Sequence, residues 1–324
     1  MAGENVKRRF EYERFGPLIA LAILFVVSAI ASPYFLQTQN LLNILRQVSY
    51  TGIIALGMTF VIISGGIDLS VGSMVALVGG VVILALNWLL TVFGEGGEAW
   101  AILFALIIGL LFGAGLGALN GLMVTIGKIA PFIATLGTMA IFRSMALYIG
   151  SAGVFRSESN LFPDLGMGNV LGIPNPVVVF ISLAVIFAII LNKTRYGRYL
   201  CAVGSNPKVA KYSAIKVNLT RFISYVAVGI TVGFSAVFLS ARLNSMSSTN
   251  GGLNYELDAI AAVIIGGTPM TGGAGSIFGT VIGAITLGII NNMLNMLGVS
   301  PYLQGTVKGV VIIGAVLIQR KRSQ

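Results

Sequence analysis

Histidine is absent from this sequence of 324 residues, cysteine occurs once, and charged residues make up only 9% of it. Soluble domains usually contain about 25% charged residues, so the composition excludes an ordinary soluble domain. Without histidine, the chain lacks the commonest metal ligand and proton shuttle. The one cysteine, Cys201, has no second thiol in the chain with which to form a disulfide. We therefore expect neither a metal site nor a disulfide framework.

Motifs that bind nucleotides or perform hydrolysis are missing as well. The phosphate-binding loop G-x-x-x-x-G-K-[ST] does not occur, and the nearest fragment, TIGKIAP at residues 125–131, lacks its Gly-rich turn and hydroxyl. The sequence also contains no plausible hydrolytic triad, metal cluster or dinucleotide fingerprint. We predict no catalytic residue and no cofactor in this chain, so that any ATP and Mg²⁺ would be bound by a separate subunit.

Long apolar runs are abundant, because hydrophobic residues make up 56% of the chain. The runs cover residues 17–31, 47–64, 69–91, 99–126, 131–150, 176–191, 221–241, 257–268, 275–297 and 302–319. About 20 helical residues cross the roughly 30 Å hydrocarbon layer, and a barrel strand would alternate instead of being continuously apolar. We predict an all-α bundle of about ten transmembrane spans, in a single domain covering residues 1–324. The run at 257–268 is too short to span unless it tilts or borrows neighbouring residues.

The net charge of +10 is distributed unevenly along the chain. With ten spans and a cytoplasmic N-terminus, most of the basic residues fall at the cytoplasmic side: Lys7, Arg8, Arg9, Arg14, Lys128, Lys193, Arg195, Arg198, Lys208, Lys211, Lys216, Arg221, Arg320, Lys321 and Arg322. The acids that fall at the outer side are Glu95, Glu98, Glu158, Asp164, Glu256 and Asp258. Basic residues beside span ends resist translocation, so both termini are predicted to be cytoplasmic. The excess charge then reflects topology, and nucleic acid is not an expected partner.

The first span resembles a signal peptide in one respect, since Ala29–Ala31 has the small residues of a cleavage site. The acidic residues Glu4, Glu11 and Glu13 make a poor signal n-region. A retained first span is therefore favoured.

A basic segment interrupts the apolar runs at residues 192–220. The stretch YGRYLCAVGSNPKVAKYSAIKVNLTR, residues 196–221, carries several basic residues and no acid. Pro207 is suited to the first turn of a helix, with Asn206 as its N-cap. Val209 and Tyr212 would then share one face, so a short amphipathic helix could dock into a groove on a cytoplasmic partner. The alternative is a basic anchor on anionic lipid.

Few ionisable residues lie inside the apolar runs. Asp68, in SGGIDLSVG, is either the N-cap of the third span or a ligand for solute or ions. Arg143 and Lys308 are isolated charges, each costing about 2.5–3.5 kcal/mol at mid-bilayer. Each of these two is expected to face protein, water or a partner charge.

Glycine spacing predicts close helix packing in two spans. Gly109, Gly113, Gly117 and Gly121 recur every four residues, which lets a neighbouring backbone approach closely. The same spacing recurs at Gly275, Gly279 and Gly283. There is also a weak repeat, because the pattern of residues 63–66 followed by Gly72 returns at 264–267 followed by Gly273. A pair of related hairpins and chance are both open.

Three segments, occurring in order from about residue 40 to the end, carry a family resemblance. They are GMTFVIISGGIDLSVGSMVAL at 57–77, TRYGRYLCAVGSNPKVAKYSAIKV at 194–217 and YELDAIAAVIIGGTPMTGGAGSIFGTVIGAITLGIINNMLNMLGVSPYLQGTVKG at 255–309. The chain resembles the ribose-type branch of bacterial ABC importer permeases. It departs from that branch at Ser205 and Ala214, where these permeases commonly have glycine.

The resemblance implies a multi-pass permease subunit in the bacterial inner membrane that moves a ribose-like pentose or a hexose inward by alternating access. Its implied partners are a second permease copy, identical or paralogous, two ABC ATPase subunits or one tandem ATPase, and a periplasmic or lipid-anchored sugar-binding protein. The alternatives are an ABC permease for a non-sugar solute such as a furanosyl signalling molecule, an ion-coupled secondary sugar transporter and a passive channel. The shortage of intramembrane carboxylates counts against the secondary transporter.

Three groups of site residues follow from this reading. The resemblance makes the basic segment a coupling helix that inserts into the ATPase, with the residues Arg198, Gly204, Asn206, Pro207, Ala210, Tyr212, Ser213 and Ile215. A solute path at the permease dimer interface, near the glycine-rich segments 65–73 and 266–275, has as candidates Asp68, Ser70, Ser73, Asn120, Asn291, Asn292 and Gln304. The expected contacts with the sugar-binding protein are Arg46, Arg156, Arg242 and Glu256.

Overall fold

The computed structural model describes residues 2–94, 96–300, 303–310 and 313–314 of the chain. The helices are α1 Ala2–Ala31, α2 Thr38–Ile63, α3 Val71–Phe93, α4 Glu98–Thr125, α5 Pro131–Ile149, α6 Phe162–Met167, α7 Asn175–Lys193, α8 Arg195–Ser205, α9 Pro207–Tyr212, α10 Val217–Leu243, α11 Tyr255–Ile265 and α12 Ile277–Met296. The strands are β1 Val154–Arg156, β2 Asn169–Val170, β3 Ile173–Pro174 and β4 Ser245–Ser247. The strands form two antiparallel pairs, β1 with β4 and β2 with β3. Helix therefore dominates, as the continuous apolar runs predict.

Seven helices in the described part of the chain are long and apolar enough to cross a membrane: α2, α3, α4, α5, α7, α10 and α12. The first predicted span lies in α1, whose apolar part, Gly16–Ala31, is shorter. Of the last predicted run, 302–319, the structure describes 303–310 and 313–314, and Arg320, Lys321 and Arg322 lie outside the described residues. The chain is thus a multi-pass helical membrane protein with fewer full-length spans in its described part than the ten runs predict.

The bundle has two distinct ends, joined by α7. At one end α7 leads into α8 and α9, and this end, residues 194–216, is called the basic end below. The opposite end carries residues 150–174, including β1 and α6. α2 lies at the centre of the bundle, since every residue from Gly52 to Ile63 is buried.

The doubtful run at 257–268 corresponds to α11, a helix of 11 residues. At about 1.5 Å per residue, α11 is roughly half as long as the hydrocarbon layer is thick. The chain nevertheless passes between the two ends of the bundle. It leaves α10 beside α6 at the opposite end, and after α11 the Gly273 amide donates to the Ile63 carbonyl at 2.9 Å, where α2 ends. Residues 244–254, largely non-helical, supply the rest of the passage.

Arg143 on α5 supplies hydrogen bonds to backbone carbonyls of that non-helical segment. Its guanidinium donates to the carbonyls of Ser248, Thr249 and Gly251 at 3.0, 3.1 and 3.0 Å. Irregular backbone at membrane depth is tolerated where protein buries it and supplies its hydrogen bonds. The prediction that Arg143 faces protein is confirmed.

The glycine spacing marks the closest helix contacts. On α4, Gly113 and Gly117 lie against Gly229 of α10 so closely that a Cβ at either would meet α10 backbone. Gly279 of α12 lies against Gly266, just past the end of α11, in the same way. The predicted close approach along both stripes is confirmed, and it fixes α4 on α10 and α12 on α11.

Candidate functional site

The helix predicted in the basic segment is present as α9, with the predicted cap. The Asn206 side-chain oxygen accepts hydrogen bonds from the amides of Lys208 and Val209 at 3.0 and 3.1 Å. Pro207 occupies the first turn, where its missing N–H has no partner to lose. Cap and proline together fix where this six-residue helix begins.

α9 presents apolar side chains to solvent, between basic ones. The Tyr212 side chain is 91% exposed and Val209 is exposed beside it, with Lys208 and Lys211 exposed on the same helix. Ala210 is only 3% exposed and faces the body of the protein. A large exposed tyrosine flanked by lysines suits contact with a partner, whereas Ala210 packs α9 against the rest of the protein.

The turn after α9 shows why glycine would suit position 214, where this chain has alanine. Ala214 has a φ of 59°, in the left-handed region that glycine adopts freely. An alanine there costs about 1 kcal/mol or more. The turn is still closed by backbone hydrogen bonds, in which Ser213 donates to Val209 and Ile215 donates to Ala210. Arg198 lies exposed on α8, outside this turn.

The C-terminal end of α8 contacts both glycine-rich breaks of the bundle. Gly204 packs on the Ile63 carbonyl and the Gly273 amide so closely that no Cβ would fit, and Ser205 packs on Gly273. Ile63 and Gly273 are themselves hydrogen-bonded. The segments flagged by the weak repeat therefore meet each other, and they meet at the helix that leads directly into α9.

Four of the predicted solute-path residues form one buried network. Asp68 Oδ1 accepts from the Ser70 amide at 2.9 Å and hydroxyl at 2.7 Å, and Asp68 Oδ2 accepts from Asn120 Nδ2 at 3.1 Å. Asn120 also donates to the Ser70 hydroxyl at 2.8 Å and accepts from Thr138 at 2.8 Å. Ser73 donates to the Ser70 carbonyl. All five side chains are buried. Their hydrogen bonds connect the turn before α3 with α4 and α5.

The prediction that Asp68 is the N-cap residue of the third span needs a correction. α3 begins at Val71 with Ser70 in the capping position, and the Ser70 side chain makes no capping bond. Asp68 lies two residues earlier and binds the Ser70 amide, so it closes the turn that leads into α3.

The other three solute-path candidates lie elsewhere. Asn292 on α12 exchanges two amide hydrogen bonds with Asn40 on α2, at 2.7 and 3.2 Å. Gln304 donates to Asn295 at 2.8 Å. Asn291 lines a cavity together with residues of three other helices. The seven candidates thus fall into a network, two amide pairings and a cavity wall.

That cavity, of about 250 Å³, lies between α2, α10, α11 and α12. Its polar lining includes Gln47, Tyr50, Arg242, Tyr255, Asp258 and Asn291. The Arg242 guanidinium lies over the Tyr50 ring, with its Cζ 5.7 Å from the ring centroid. No sequence pattern points to Gln47, Tyr50 or Tyr255, because two of them lie in an apolar run and the site forms only when four distant helices meet.

An ion pair borders the cavity. Lys308 Nζ lies 2.9 Å from Asp258 Oδ1 and 3.0 Å from Oδ2. The prediction that Lys308 faces protein or a partner charge is confirmed. Within the ranges that the structure describes, no cluster of three acidic, cysteine or histidine side chains is placed to hold a metal ion.

The four residues predicted to contact a binding protein have different environments. Arg156 is exposed on β1 at the opposite end, beside Asn87, which donates to the Arg156 carbonyl. Arg46 is only 7% exposed and donates to Asn43. Arg242 faces the cavity, and the Glu256 carboxylate lies against Gly72 at the start of α3.

Cys201 lies half-buried on α8 at the basic end. Burial raises the pKa of the Cys201 thiol. Because the thiolate is the reactive form, Cys201 is a slow target for thiol reagents at neutral pH.

Comparisons with known proteins agree with this architecture. Residues 40–316 match the family described as the branched-chain amino acid transport system permease component. The chain is 44% identical over 317 residues to the ribose import permease protein of Bacillus subtilis, covering 96% of this chain and 94% of the relative. It is 38% identical over 310 residues to the D-allose transport system permease protein of Escherichia coli K12, covering 95% and 92%. It is 31% identical over 313 residues to the L-arabinose transport system permease protein of that strain, covering 97% and 92%. No solved structure is significantly similar to the chain.

Proposed function

The chain belongs to the family described as the permease component of the branched-chain amino acid transport system, and from this premise we propose that it is the permease subunit of an ABC importer for a monosaccharide. The sugars named in the ribose, allose and arabinose permeases support a pentose or hexose as solute. The amino acid in the family description supports a non-sugar solute as the second candidate. The chain supplies the passage through the membrane and is not itself an enzyme.

The proposed assembly places this chain in the bacterial inner membrane with a second permease copy, two ATPase subunits or one tandem ATPase, and a sugar-binding protein. ATP and Mg²⁺ are bound by the ATPase. The basic end faces the cytoplasm in this proposal, in agreement with the positive charge carried there. Both termini are proposed to be cytoplasmic as well. Arg156, exposed at the opposite end, is the docking residue best supported by its position, ahead of Arg46, Arg242 and Glu256.

The proposed coupling route runs from α9 through α8 to the glycine-rich breaks. Tyr212 and Val209 dock in a groove of the ATPase, where exposed apolar side chains gain most from burial. Motion of α8 is then transmitted by the packing of Gly204 on Ile63, at the end of α2, and on Gly273, in the segment between α11 and α12. This triple contact is the observation that carries the proposal. The network of Asp68, Ser70, Ser73 and Asn120 holds the turn into α3 beside the path, and Asn291, Asn292 and Gln304 lie along α12 and beyond it.

The test replaces a residue of the exposed face of α9. In a transporter reconstituted with its ATPase and binding protein, Tyr212→Glu is expected to abolish solute-stimulated ATP hydrolysis while leaving membrane insertion intact. Ala210 is a poorer site for this test, because it is buried and a bulky charge there would disrupt the loop itself.

Lys128→Glu is the matched control, since Lys128 is exposed at the same end of the bundle on the turn between α4 and α5. It should retain solute-stimulated hydrolysis. Unchanged stimulation in Tyr212→Glu would remove the coupling role of α9.

A further inference from the structure

The cavity between α2, α10, α11 and α12 contains buried polar atoms that lack partners. Tyr50 is only 1% exposed, and the Arg242 guanidinium lies near its hydroxyl without making a well-aligned hydrogen bond to it. The Oδ1 atom of Asn291 is likewise buried without a partner in the described part of the chain. Buried polar atoms are almost always hydrogen-bonded, because an unpaired one loses its hydration without replacement. Two such atoms on the wall of one cavity point to a bound molecule.

The groups on the wall define what that molecule must offer. Asn291 Oδ1 can only accept a hydrogen bond, whereas the Tyr50 hydroxyl can donate or accept, and the Arg242 guanidinium can only donate. A ligand must therefore offer both hydrogen-bond donors and acceptors, and hydroxyl groups supply both.

The charges on the wall do not require a strongly charged ligand. Asp258 faces the cavity but is paired with Lys308, and the Arg242 guanidinium is the remaining cation on the described wall. Arg242 lies over the Tyr50 ring, which stabilises its charge without an anion. The wall also has apolar side chains, among them Val48, Leu239 and Leu287, which suit the C–H faces of a sugar ring.

The size of the cavity fits the same class of ligand. At about 250 Å³ it is far larger than the space that one water molecule needs and lies just below the range of about 300–1,000 Å³ for small-molecule sites. We propose that this cavity binds one uncharged polyhydroxylated molecule of monosaccharide size within a single protomer. The inference rests on the proposed function, and it adds a solute site inside each chain to the passage at the dimer interface.

Direct binding is measured on the full-length chain in lipid nanodiscs, with radiolabelled D-ribose, D-allose and L-arabinose as probes in equilibrium dialysis. At least one sugar should bind, and Tyr50→Phe and Asn291→Leu should each weaken binding by about tenfold, the effect of one lost hydrogen bond in a buried site. Tyr225→Phe is the matched control: its hydroxyl is buried and donates to the Ile67 carbonyl outside the cavity, so binding should be unchanged.

Protection of an introduced cysteine from alkylation gives a second measurement, which does not depend on a substitution that weakens binding. Thr51 lies on the cavity wall, so Thr51→Cys in a Cys201→Ser chain places the only thiol there. The binding sugar should slow alkylation of that thiol, and should leave unchanged the alkylation of a thiol placed by Leu171→Cys, exposed at the opposite end of the bundle.

Sugar that neither binds nor protects, in a transporter whose ATP-driven sugar uptake is intact, would show that the cavity holds water only and would overturn the inference alone. Binding that survives both Tyr50→Phe and Asn291→Leu would overturn it too. Loss of all ATP-driven sugar uptake from the complete wild-type transporter would instead refute the proposed function.

Discussion

Two polar regions lie buried in this apolar bundle, and they differ in how their polar atoms are paired. In the network of α3, α4 and α5, the two Asp68 oxygens accept three hydrogen bonds, and Asn120 uses both its amide nitrogen and its oxygen. In the cavity of α2, α10, α11 and α12, the Tyr50 hydroxyl lies near the Arg242 guanidinium without a well-aligned hydrogen bond, and Asn291 Oδ1 has no partner among the described residues. Each region contains an aspartate and an asparagine, so these residue types alone do not separate a structural site from a binding site.

The difference has a thermodynamic meaning. A paired buried group contributes modestly to stability but is expensive to disrupt, because its partner is then left buried and unpaired. An unpaired group has already lost its hydration, and removing it leaves nothing behind that needs a partner. Substitutions in the network should therefore damage the fold, and substitutions of the orphan atoms should damage only ligand binding.

The ion pair on the cavity wall gives the largest expected effect on the free energy of unfolding. It tests whether the cost of a substitution depends on the pairing of the group or on its location at the cavity. Lys308→Met leaves the Asp258 carboxylate buried without its cation, which should reduce the free energy of unfolding by about 3–5 kcal/mol. The measurement is denaturant titration of the purified chain in bicelles. The double variant Lys308→Met with Asp258→Asn should recover much of the loss. A loss below about 1 kcal/mol for the single variant would mean that the pair behaves as an exposed one.

The network gives the next largest effect. Asp68→Ala removes the acceptor for the Ser70 amide, the Ser70 hydroxyl and Asn120, and we expect a loss of about 2–3 kcal/mol in the free energy of unfolding. Asp164→Ala, at an exposed carboxylate on α6, is the control and should be neutral. Equal stability of the two variants would contradict the structural role of the network.

The smallest effect on stability is expected at the orphan atoms. Asn291→Leu should change the free energy of unfolding by less than about 0.5 kcal/mol, because no described group loses a partner. The same titration, with Asn120→Leu as the matched amide in the network, measures it. A loss at position 291 as large as at 120 would erase the contrast between the two regions.

Local features of the fold are predictable from the sequence because they depend on neighbouring residues. The cap of Asn206 on α9 and the proline that follows it are encoded within four residues, and the structure confirms them. The glycine stripe of α4 predicts close packing because its four-residue period is that of one helix face. Continuous apolar runs locate the long helices for a similar reason.

Features that depend on distant contacts are not predictable in this way. The passage through residues 244–254 is non-helical, and it is stable in the bundle because Arg143, over a hundred residues earlier, binds its carbonyls. The sequence does not reveal that the Tyr50 hydroxyl lacks a hydrogen-bond partner, because this depends on which residues of other helices surround it. Of the solute-path candidates chosen for polarity, only Asn291 lines the cavity.

The hydrogen bonds of Arg143 have a consequence for the insertion of the chain into the membrane. Ser248, the first of its acceptors, lies 105 residues further along the chain. While the nascent chain enters the membrane, α5 is made long before residues 248–251, and its arginine is inserted without the carbonyls that later bind it. On insertion scales an unpaired arginine at the centre of a membrane-spanning helix costs about 2.5–3.5 kcal/mol. The incomplete bundle thus contains an unpaired arginine until residues 248–251 follow the tenth helix, and the hydrogen bonds that Arg143 then forms favour completion of the bundle.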